Sequence, residues 1–250
     1  MTNEYKVKFG DIWKMGKHRL LCGDSTEREM VTEFLENREP KVCVTDPPYG
    51  IGYKSKSKKG LYRLKVKYDH IATWGGSFES SQSPVLYVWF SFRHYEVLVR
   101  SLQDAGYEVK QMIVWVKHHF TLQHNFYHLK HEQCLVCVKQ GIKVTEHWTG
   151  DRKQVSVWNI PSVKPKERIH PTEKPVGVYT IPILNHTHDN DYVLDLFAGS
   201  GAVFEAAEQL KRVALGIELC PDACDLILKR MAALGCNIKR IGNIFETTTT

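Results

Sequence analysis

The order of elements along this 250-residue chain predicts an α/β fold, a mostly parallel sheet with helices on both faces. Short apolar segments alternate with amphipathic segments of helical period, which is the pattern of parallel strands joined by crossover helices. A glycine-containing turn also follows one of the apolar segments and opens a helix. Because ligands in such sheets bind at the carboxyl ends of strands, we expect the functional site at this turn and at a second motif that follows another strand.

The first half of the chain contains five predicted strands and two predicted helices. Apolar, β-branched runs predict the strands at residues 19–23, 41–45, 85–90, 108–116 and 133–138. Apolar residues at helical spacing predict helices over 26–37 and 93–105. Ser25 or Thr26 would cap the first helix, and Gly106 would end the second.

The second half returns to the same alternation after an irregular stretch at 139–168. It contains predicted strands at 192–196 and 213–217 and predicted helices at 176–184, 203–210 and 221–234. Pro175 suits the first turn of a helix, where its missing N–H would be unpaired in any case. The hydrophobic content of 42% fits a single folded domain over 1–250. No apolar run approaches the roughly 20 residues that a membrane span needs, so no membrane partner is predicted.

The basic charge of the chain is concentrated in one segment. Lys and Arg number 34 against 28 Asp and Glu, a net charge of +6. Seven basic residues and no acidic residue lie within 54–67, so the rest of the chain has a net charge of −1; they are Lys54, Lys56, Lys58, Lys59, Arg63, Lys65 and Lys67. The segment belongs to a polar stretch at about 50–83, which we predict to be a loop inserted into the domain. A solvated loop and a loop that binds a polyanion both fit this charge.

Cysteine and histidine are frequent enough to raise the question of a metal site. The seven cysteines are an odd number, which favours reduced thiols in a cytoplasmic protein. Cys134 and Cys137 have CxxC spacing, but residues three apart in a strand face opposite sides. The histidines form a cluster at His118, His119, His124, His128 and His131. Because no cysteine or acidic residue shares their spacing, we predict no metal site.

The glycine-containing turn reads Asp195-Leu-Phe-Ala-Gly-Ser-Gly201. Glycines allow a tight turn and let the backbone approach a ligand closely. The next predicted strand leads into Glu218, whose carboxylate can accept hydrogen bonds from ribose hydroxyls. No third glycine follows at dinucleotide spacing, which disfavours NAD. Taken alone, the turn fits either a nucleotide-like ligand or a structural strand-to-helix connection.

The second motif, Asp46-Pro-Pro-Tyr49, directly follows the strand at 41–45. Two prolines hold a rigid, extended turn, because each ring fixes φ and removes a backbone donor. Asp46 supplies an anionic acceptor, and Tyr49 supplies a flat aromatic face. Together these groups can accept hydrogen bonds from a planar amino group and stack on the ring that carries it. An ordinary Pro-Pro turn would have the same four residues.

Taken together, the two motifs resemble those of the S-adenosylmethionine-dependent DNA amino-methyltransferases. In that family the Asp-Pro-Pro-Tyr form is mostly associated with adenine N6, whereas enzymes of cytosine N4 usually carry Ser in place of Asp. The catalytic motif precedes the glycine motif here, and this circularly permuted order resembles the β class. Further matches cover nearly the whole chain at Gly10-Asp-Ile-Trp13, His18-Arg-Leu-Leu-Cys-Gly-Asp24, Trp89-Phe-Ser91, Ile113-Val-Trp-Val-Lys117, His131-Glu132 and His170-Pro-Thr-Glu-Lys-Pro175. The resemblance implies a Rossmann-like methyltransferase fold.

The resemblance also implies a role for each motif residue. The target base would be bound and activated by Asp46, Pro47, Pro48 and Tyr49. The S-adenosylmethionine site would consist of Asp24, His170, Thr172, Lys174, Pro175, Asp195, Phe197, Ala198, Gly199, Ser200, Gly201 and Glu218. Within it, Glu218 would hold the ribose and Asp24 the adenine of the cofactor. Thr172 and Lys174 would contact its methionine carboxylate.

DNA is the partner that the resemblance implies. The seven cations of 54–67 would contact phosphates, which gives affinity without sequence reading. Residues 139–168 are the segment available for target recognition, and its candidate readers of bases are Trp148, Arg152, Lys153, Gln154, Trp158 and Asn159. Because this segment is small, we expect short or relaxed sequence specificity, or help from a second subunit or a homodimer.

The sequence therefore predicts an enzyme that transfers a methyl group to adenine N6 of a base flipped out of DNA, in a bacterium or a phage-infected host. The same chemistry on cytosine N4 or on RNA adenine stays open. So does a non-catalytic nucleic-acid-binding subunit of the same fold. Asp46, Tyr49, Gly199 and Lys174 are all intact, which argues against that last alternative, since a subunit relieved of catalysis has no need for all four.

Overall fold

The computed structural model describes residues 3–48, 74–122, 126–163 and 173–246. Within these ranges the strands are β1 (Asp11–Met15), β2 (His18–Cys22), β3 (Pro40–Thr45), β4 (Val85–Phe90), β5 (Tyr107–Thr121), β6 (Leu129–Lys139), β7 (Val157–Asn159), β8 (Tyr192–Asp195), β9 (Val213–Glu218) and β10 (Ile238–Asn243). The helices are α1 (Arg28–Leu35), α2 (Gly75–Ser80), α3 (Tyr95–Asp104), α4 (Gly177–His186), α5 (Ala202–Gln209) and α6 (Pro221–Ala233). Tyr49, the seven basic residues of 54–67, His124, His170 and Thr172 lie outside the described residues.

All of these strands belong to one sheet, in the order β10-β1-β2-β9-β8-β3-β4-β6-β5-β7. Its centre is parallel, because β2, β9, β8, β3 and β4 run in the same direction. Antiparallel pairs flank this centre, with β1 and β10 on one side and β6 and β5 on the other. β7 lies parallel to β5 at the outer edge. The predicted α/β fold with a mostly parallel sheet is confirmed.

Helices cover both faces of the sheet, and each face has its own apolar core. In β3, Val42 and Val44 join the core under α4, α5 and α6, whereas Cys43 joins the core under α1, α2 and α3. Each large buried side chain contributes about 1.5–3 kcal/mol to these cores. Cys134 and Cys137 lie in different cores, which confirms that they face opposite sides of their strand.

The start of α1 differs from the prediction. The helix begins at Arg28 with Glu27 as its N-cap residue, and neither Ser25 nor Thr26 caps it. Oδ1 of Asp24 instead accepts hydrogen bonds from the backbone N–H and the hydroxyl of Thr26, at 2.9 and 2.7 Å. The capping prediction was wrong because this local turn competes for Thr26.

Four elements were not predicted, and each depends on tertiary packing. β1 and β10 pair with each other at the edge of the sheet, and their exposed faces carry polar residues, which weakens the strand signal. α2 lies in the stretch predicted to be a loop, and its glycines and serines are weak helix formers, but its Phe78 is fully buried. β7 interrupts the stretch at 139–168 that was predicted to be irregular. Within the described ranges, no helix has the length and apolar character to cross a membrane.

Candidate active site

Three carboxylates lie at the carboxyl edge of the parallel strands. Asp46 follows β3, Asp195 ends β8 and Glu218 ends β9. β8 pairs with both β3 and β9, so the ends of these strands are adjacent. The hydroxyl of Thr45 donates to Oδ1 of Asp195 at 2.8 Å and so ties the strand of one motif to the strand of the other. The two motifs, about 150 residues apart in the sequence, therefore form one site.

Asp195 is fully buried at the base of this site. Oδ1 accepts hydrogen bonds from Thr45 and from the backbone N–H of Phe197, at 3.1 Å for the latter. Oδ2 is buried and has no hydrogen-bond partner among the described residues. Burial raises the pKa of Asp195 to about 7, although these two hydrogen bonds oppose the shift. An unpaired buried carboxylate oxygen is suited to a ligand that brings a cationic or N–H donor.

The glycine turn between β8 and α5 requires glycine at two positions for different reasons. Gly199 has φ of 50° and Gly201 has φ of 78°, both in the left-handed region. A Cβ atom at Gly201 would lie 2.9 Å from Cγ1 of Ile227 in α6, so this glycine allows helix and turn to pack. Among the described residues, a Cβ at Gly199 would meet only the carbonyl oxygen of Phe197, at 3.8 Å. The turn therefore leaves room for a ligand above Gly199.

Glu218 lies against this turn. Its Oε2 accepts a hydrogen bond from the N–H of Gly199, and its Oε1 accepts one from the N–H of Cys220, both at 2.8 Å. Burial raises the pKa of Glu218 above its usual value, although these backbone N–H groups lower it in part. The carboxylate is thus held in a fixed orientation beside the open space at Gly199.

A chain of alternating charges extends from Asp46. The ammonium group of Lys174 donates to Oδ2 of Asp46, and it lies 3.3 Å from Oε2 of Glu132. Oε1 of Glu132 lies 2.6 Å from the ammonium group of Lys117. Lys174 is only 5% exposed and lies 5.4 Å above the ring of Trp89. Burial alone would lower the pKa of Lys174, but the carboxylates of Asp46 and Glu132 raise it above its ordinary value.

Comparison with protein families shows to which family this arrangement belongs. The family model described as DNA methylase, of the N6 and N4 type, matches residues 41–229, a range that contains both motifs. The chain belongs to the N6/N4 DNA methylase family. The resemblance of its motifs is thereby confirmed, and S-adenosylmethionine is the cofactor of this family.

The chain is also similar to individual curated proteins and solved structures. The Type II methyltransferase M.HpaI of Haemophilus parainfluenzae is 23% identical over 238 residues, which are 85% of this chain and 74% of that protein. The M1.HpyAVI–SAM complex has the same fold, with a TM-score of 0.62, 24% identity and coverage of 84% of this chain and 98% of that chain. The PvuII DNA methyltransferase, described as cytosine-N4-specific, has a TM-score of 0.63 at 16% identity, over 91% and 95% of the two chains. This chain spans about half the length, 53% and 51%, of two further curated relatives.

Most of the described residues predicted for the methylase site lie together. Asp46, Pro47 and Pro48 lie beside the turn of Phe197, Ala198, Gly199, Ser200 and Gly201, with Asp195 and Glu218 at its ends. Asp24 follows β2, the neighbour of β9, and the N–H of Gly23 donates to the carbonyl of Glu218 at 3.0 Å. The carbonyl of Pro175 accepts from the N–H of Val178 in the first turn of α4. Lys174 contacts Asp46 and Glu132, a pairing that the sequence had not predicted.

Arg152 and Lys153 lie at the amino-terminal edge of the sheet, opposite the edge that carries Asp46, Asp195 and Glu218. Two hydrogen bonds fix the position of the segment at 139–168. The N–H of Lys139 donates to the carbonyl of Pro84, just before β4 begins, and the N–H of Thr149 donates to the carbonyl of Asn185, near the end of α4. α4 begins beside Lys174, and its 10 residues span roughly 15 Å. A cavity of about 490 Å³ lies there, lined by Trp148, Arg152, Gln154, Trp158 and others. The structure does not bring this part of the predicted recognition segment to the carboxylates of Asp46, Asp195 and Glu218.

Arg230 and Trp74 hold the methylase site together, and the sequence did not indicate either. Arg230 of α6 contacts Glu173, Glu205 and the carbonyl oxygen of Ser200, at 2.8, 2.6 and 3.1 Å. The indole N–H of Trp74 donates to the carbonyl of Pro48 at 3.1 Å. Both contacts join segments far apart in the chain, and spacing within the sequence carries no signal for them.

Described members of the predicted histidine cluster contact Ser162 and Phe120. Nδ1 of His118 accepts a hydrogen bond from the N–H of Ser162 at 3.2 Å, and the ring of His128 stacks on Phe120. Among the described residues, no three metal-binding side chains lie together. His131 is exposed on β6 beside Glu132.

Proposed function

We propose that this methylase transfers a methyl group from S-adenosylmethionine to the exocyclic N6 of an adenine flipped out of DNA. One observation carries the proposal. The carboxylate of Asp46 follows β3 at the same edge of the sheet as Asp195, Glu218 and the glycine turn, so an amino-group acceptor and a candidate cofactor site share one edge. This is the spatial requirement for a direct transfer between two bound molecules.

The cofactor pocket fits the expected group in three ways. The unpaired oxygen of Asp195 suits an ammonium donor, as the amino group of the methionine part would provide. Glu218 is oriented for hydroxyl donors of a ribose. The open space at Gly199 allows a ligand to approach the backbone. We assign these roles to Asp195, Glu218 and Gly199.

When bound, the cofactor supplies a methyl carbon on a positively charged sulfur, which the adenine amino nitrogen attacks in line. The N–C bond would form as the S–C bond breaks, with the electron pair left on the sulfur, and the methylated nitrogen would release one proton to water. Asp46 accepts a hydrogen bond from the amino group and so returns electron density to the nitrogen, whose lone pair is delocalised into the ring. Because the carbonyl of Pro48 already accepts from Trp74, we assign the second amino hydrogen to the carbonyl of Pro47. Tyr49 would stack on the base, a contact worth about 1–3 kcal/mol.

Adenine is the preferred base because the motif carries Asp at position 46, where the cytosine-N4 enzymes of the resemblance carry Ser. The likeness to the PvuII enzyme concerns the fold and does not bear on this choice. Cytosine N4 is therefore an outcome that the experiment must be able to report.

DNA would approach the catalytic edge from the side of the β5–β6 hairpin, which extends past the end of β4. Phe126 and Tyr127 are 102% and 86% exposed there, and exposed aromatic rings can stack on unpaired bases. Residues 54–67 would contact phosphates. Because Arg152 and Lys153 lie at the opposite edge, we propose short or relaxed sequence specificity, or a recognition surface that a second subunit supplies.

The test measures transfer of a labelled methyl group from S-adenosylmethionine to duplex DNA, single-stranded DNA and RNA. The proposal predicts label in DNA and its loss in an Asp46→Ala variant that still binds the cofactor. Label in RNA alone would contradict the DNA substrate. Label that persists in Asp46→Ala would contradict the catalytic assignment, and cofactor binding without any transfer would favour a non-catalytic subunit.

A further inference from the structure

Glu132 lies at the base of the β5–β6 hairpin, immediately next to the catalytic edge. In the sheet it is opposite Trp115, one residue beyond the pair formed by Gln133 and Phe90 at the end of β4. Along the strand direction, Glu132 therefore lies at the same height as the residues that follow the carboxyl ends of the parallel strands. From this position its two oxygens contact different lysines, Oε1 contacting Lys117 and Oε2 contacting Lys174.

We propose that Glu132 is a positioning residue for methyl transfer, which holds the ammonium group of Lys174 between itself and Asp46 and so fixes the catalytic carboxylate. This inference rests on the proposed function. It concerns a residue that contacts neither the target base nor the cofactor pocket directly. Glu132 acts through Lys174, and Lys117 balances the charge of Glu132 from the other side.

Burial makes this arrangement sensitive to the loss of any member. The side chains of Lys174, Lys117 and Glu132 are 5%, 15% and 29% exposed. Buried ammonium groups require partners, and Lys174 has two carboxylates and the face of the Trp89 ring. Burial raises the pKa of Glu132, but the charges of Lys174 and Lys117 outweigh it and lower this pKa, so that Glu132 stays ionised.

Sharing of one cation between two carboxylates has a consequence for Asp46. An ammonium group that paired with Asp46 alone would neutralise it more fully and weaken its oxygens as hydrogen-bond acceptors. Glu132 draws part of that charge to itself, so Asp46 is held in place and keeps its acceptor strength for the amino group. We assign Lys174 to these two carboxylates and not to the methionine carboxylate that the resemblance implies, so loss of Glu132 should slow the chemical step and leave cofactor affinity unchanged.

The first test compares Glu132→Gln with wild type in single-turnover methyl transfer and in cofactor titration. We expect the transfer rate to fall about 10- to 100-fold, with the dissociation constant for S-adenosylmethionine changed less than about twofold. Glu132→Asp, which keeps the charge, should recover part of the rate. Glu108→Gln is the matched control, because Glu108 forms an exposed ion pair with Lys110 on β5, away from the site.

The pH profile gives a readout that a purely structural role would not move. Among the described residues, the ionisable groups that face Lys174 or its partners include Asp46, Glu132, Lys117, Cys134, Tyr179 and Asp195. Removal of the Glu132 charge should lower the pKa of Lys174, so the loss of activity at alkaline pH should begin at lower pH in Glu132→Gln. NMR titration of the Lys174 side chain measures the same change without any turnover.

An unchanged transfer rate in Glu132→Gln would overturn the inference, as would a rate loss matched by an equal loss of cofactor affinity. If the wild-type protein transfers no methyl group to nucleic acid, the proposed function fails. The NMR titration then decides about Glu132 separately, and an identical Lys174 titration in wild type and variant would overturn the inference.

Discussion

Nη1 of Arg230 lies 2.8 Å from Oε1 of Glu173, and this ion pair joins α6 to the segment that carries Lys174. The Glu173 side chain is 5% exposed. The same guanidinium contacts Glu205 of α5 and the carbonyl oxygen of Ser200 in the glycine turn. One side chain thus connects the glycine turn to the segment that contacts Asp46.

The first prediction concerns this arginine. Arg230→Met should weaken binding of S-adenosylmethionine about 10-fold and destabilise the protein by about 1–3 kcal/mol, because it removes the ion pair between Arg230 and the buried Glu173 side chain. Isothermal titration and urea unfolding measure the two effects. Lys229→Met is the control, because Lys229 directly precedes Arg230 in α6 and is partly exposed. This variant should keep the cofactor affinity of the wild type. Equal affinity in Arg230→Met and wild type would contradict the role given to Arg230.

The second prediction separates backbone strain from packing in the glycine turn. Gly201→Ala places a Cβ atom 2.9 Å from Ile227, whereas Gly235→Ala places one in open space at a similarly positive φ. Both variants carry the strain of the left-handed region, and only the first adds a clash. Gly201→Ala should therefore be about 1–3 kcal/mol less stable than Gly235→Ala in urea unfolding. An equal loss of stability in the two variants would contradict this prediction, because α6 would then move away from the new Cβ atom without a cost in free energy.

The third prediction is a loss of stability in mild acid. Burial lowers the pKa of His186 to about 4, and its ring hydrogen-bonds the Tyr87 hydroxyl and the carbonyl of His147. The folded state favours the neutral ring, so the unfolded chain binds more protons between about pH 6.5 and pH 4. Stability should then fall as the pH drops through this window, by about 2 kcal/mol at pH 5.

His186→Gln should remove most of this pH dependence of stability. Tyr87→Phe should keep it, because this variant removes a hydrogen-bond partner of His186 but no group that titrates between pH 5 and pH 7.5. Urea unfolding at pH 7.5 and pH 5 compares the three proteins. Burial also lowers the pKa of His18, and that contribution remains in each of them. The same pH dependence in His186→Gln and wild type would show that His186 is not responsible.

The fourth prediction tests the β5–β6 hairpin as a DNA contact. Phe126→Ala combined with Tyr127→Ala should weaken binding to duplex DNA by about 1–3 kcal/mol, because exposed rings that stack on bases are lost. Fluorescence anisotropy at fixed salt measures the affinity. Val155→Ser, exposed at the opposite edge of the sheet, should have no effect. If the double variant binds DNA normally but changes its oligomeric state in light scattering, the rings form a contact between protein copies.

The parts of the site that follow strand ends could be predicted from the sequence. Asp46, Asp195, Gly199 and Glu218 belong to short motifs, and the alternation of strands and helices predicted that these motifs share one edge. The chemistry of each motif is local, so it is visible in a few consecutive residues.

The parts that hold the site together could not be predicted in this way. Arg230 meets Glu173 across 57 residues, and Trp74 meets Pro48 across 26. Such contacts depend on the fold, and no spacing rule indicates them. For the same reason, the sequence did not predict that Lys174 would pair with Asp46 and Glu132. The formation of α2 also depends on tertiary packing, because its own residues are weak helix formers.

The measurement that tests the central claim most directly is nucleoside analysis of DNA after incubation with the purified protein and S-adenosylmethionine. Digestion and mass spectrometry distinguish N6-methyladenine from N4-methylcytosine, and an Asp46→Asn variant run in parallel reports whether Asp46 is required. We predict N6-methyladenine with wild type and a loss of at least about 100-fold with the variant. Methylated cytosine in place of adenine, or equal product from wild type and Asp46→Asn, would contradict the account.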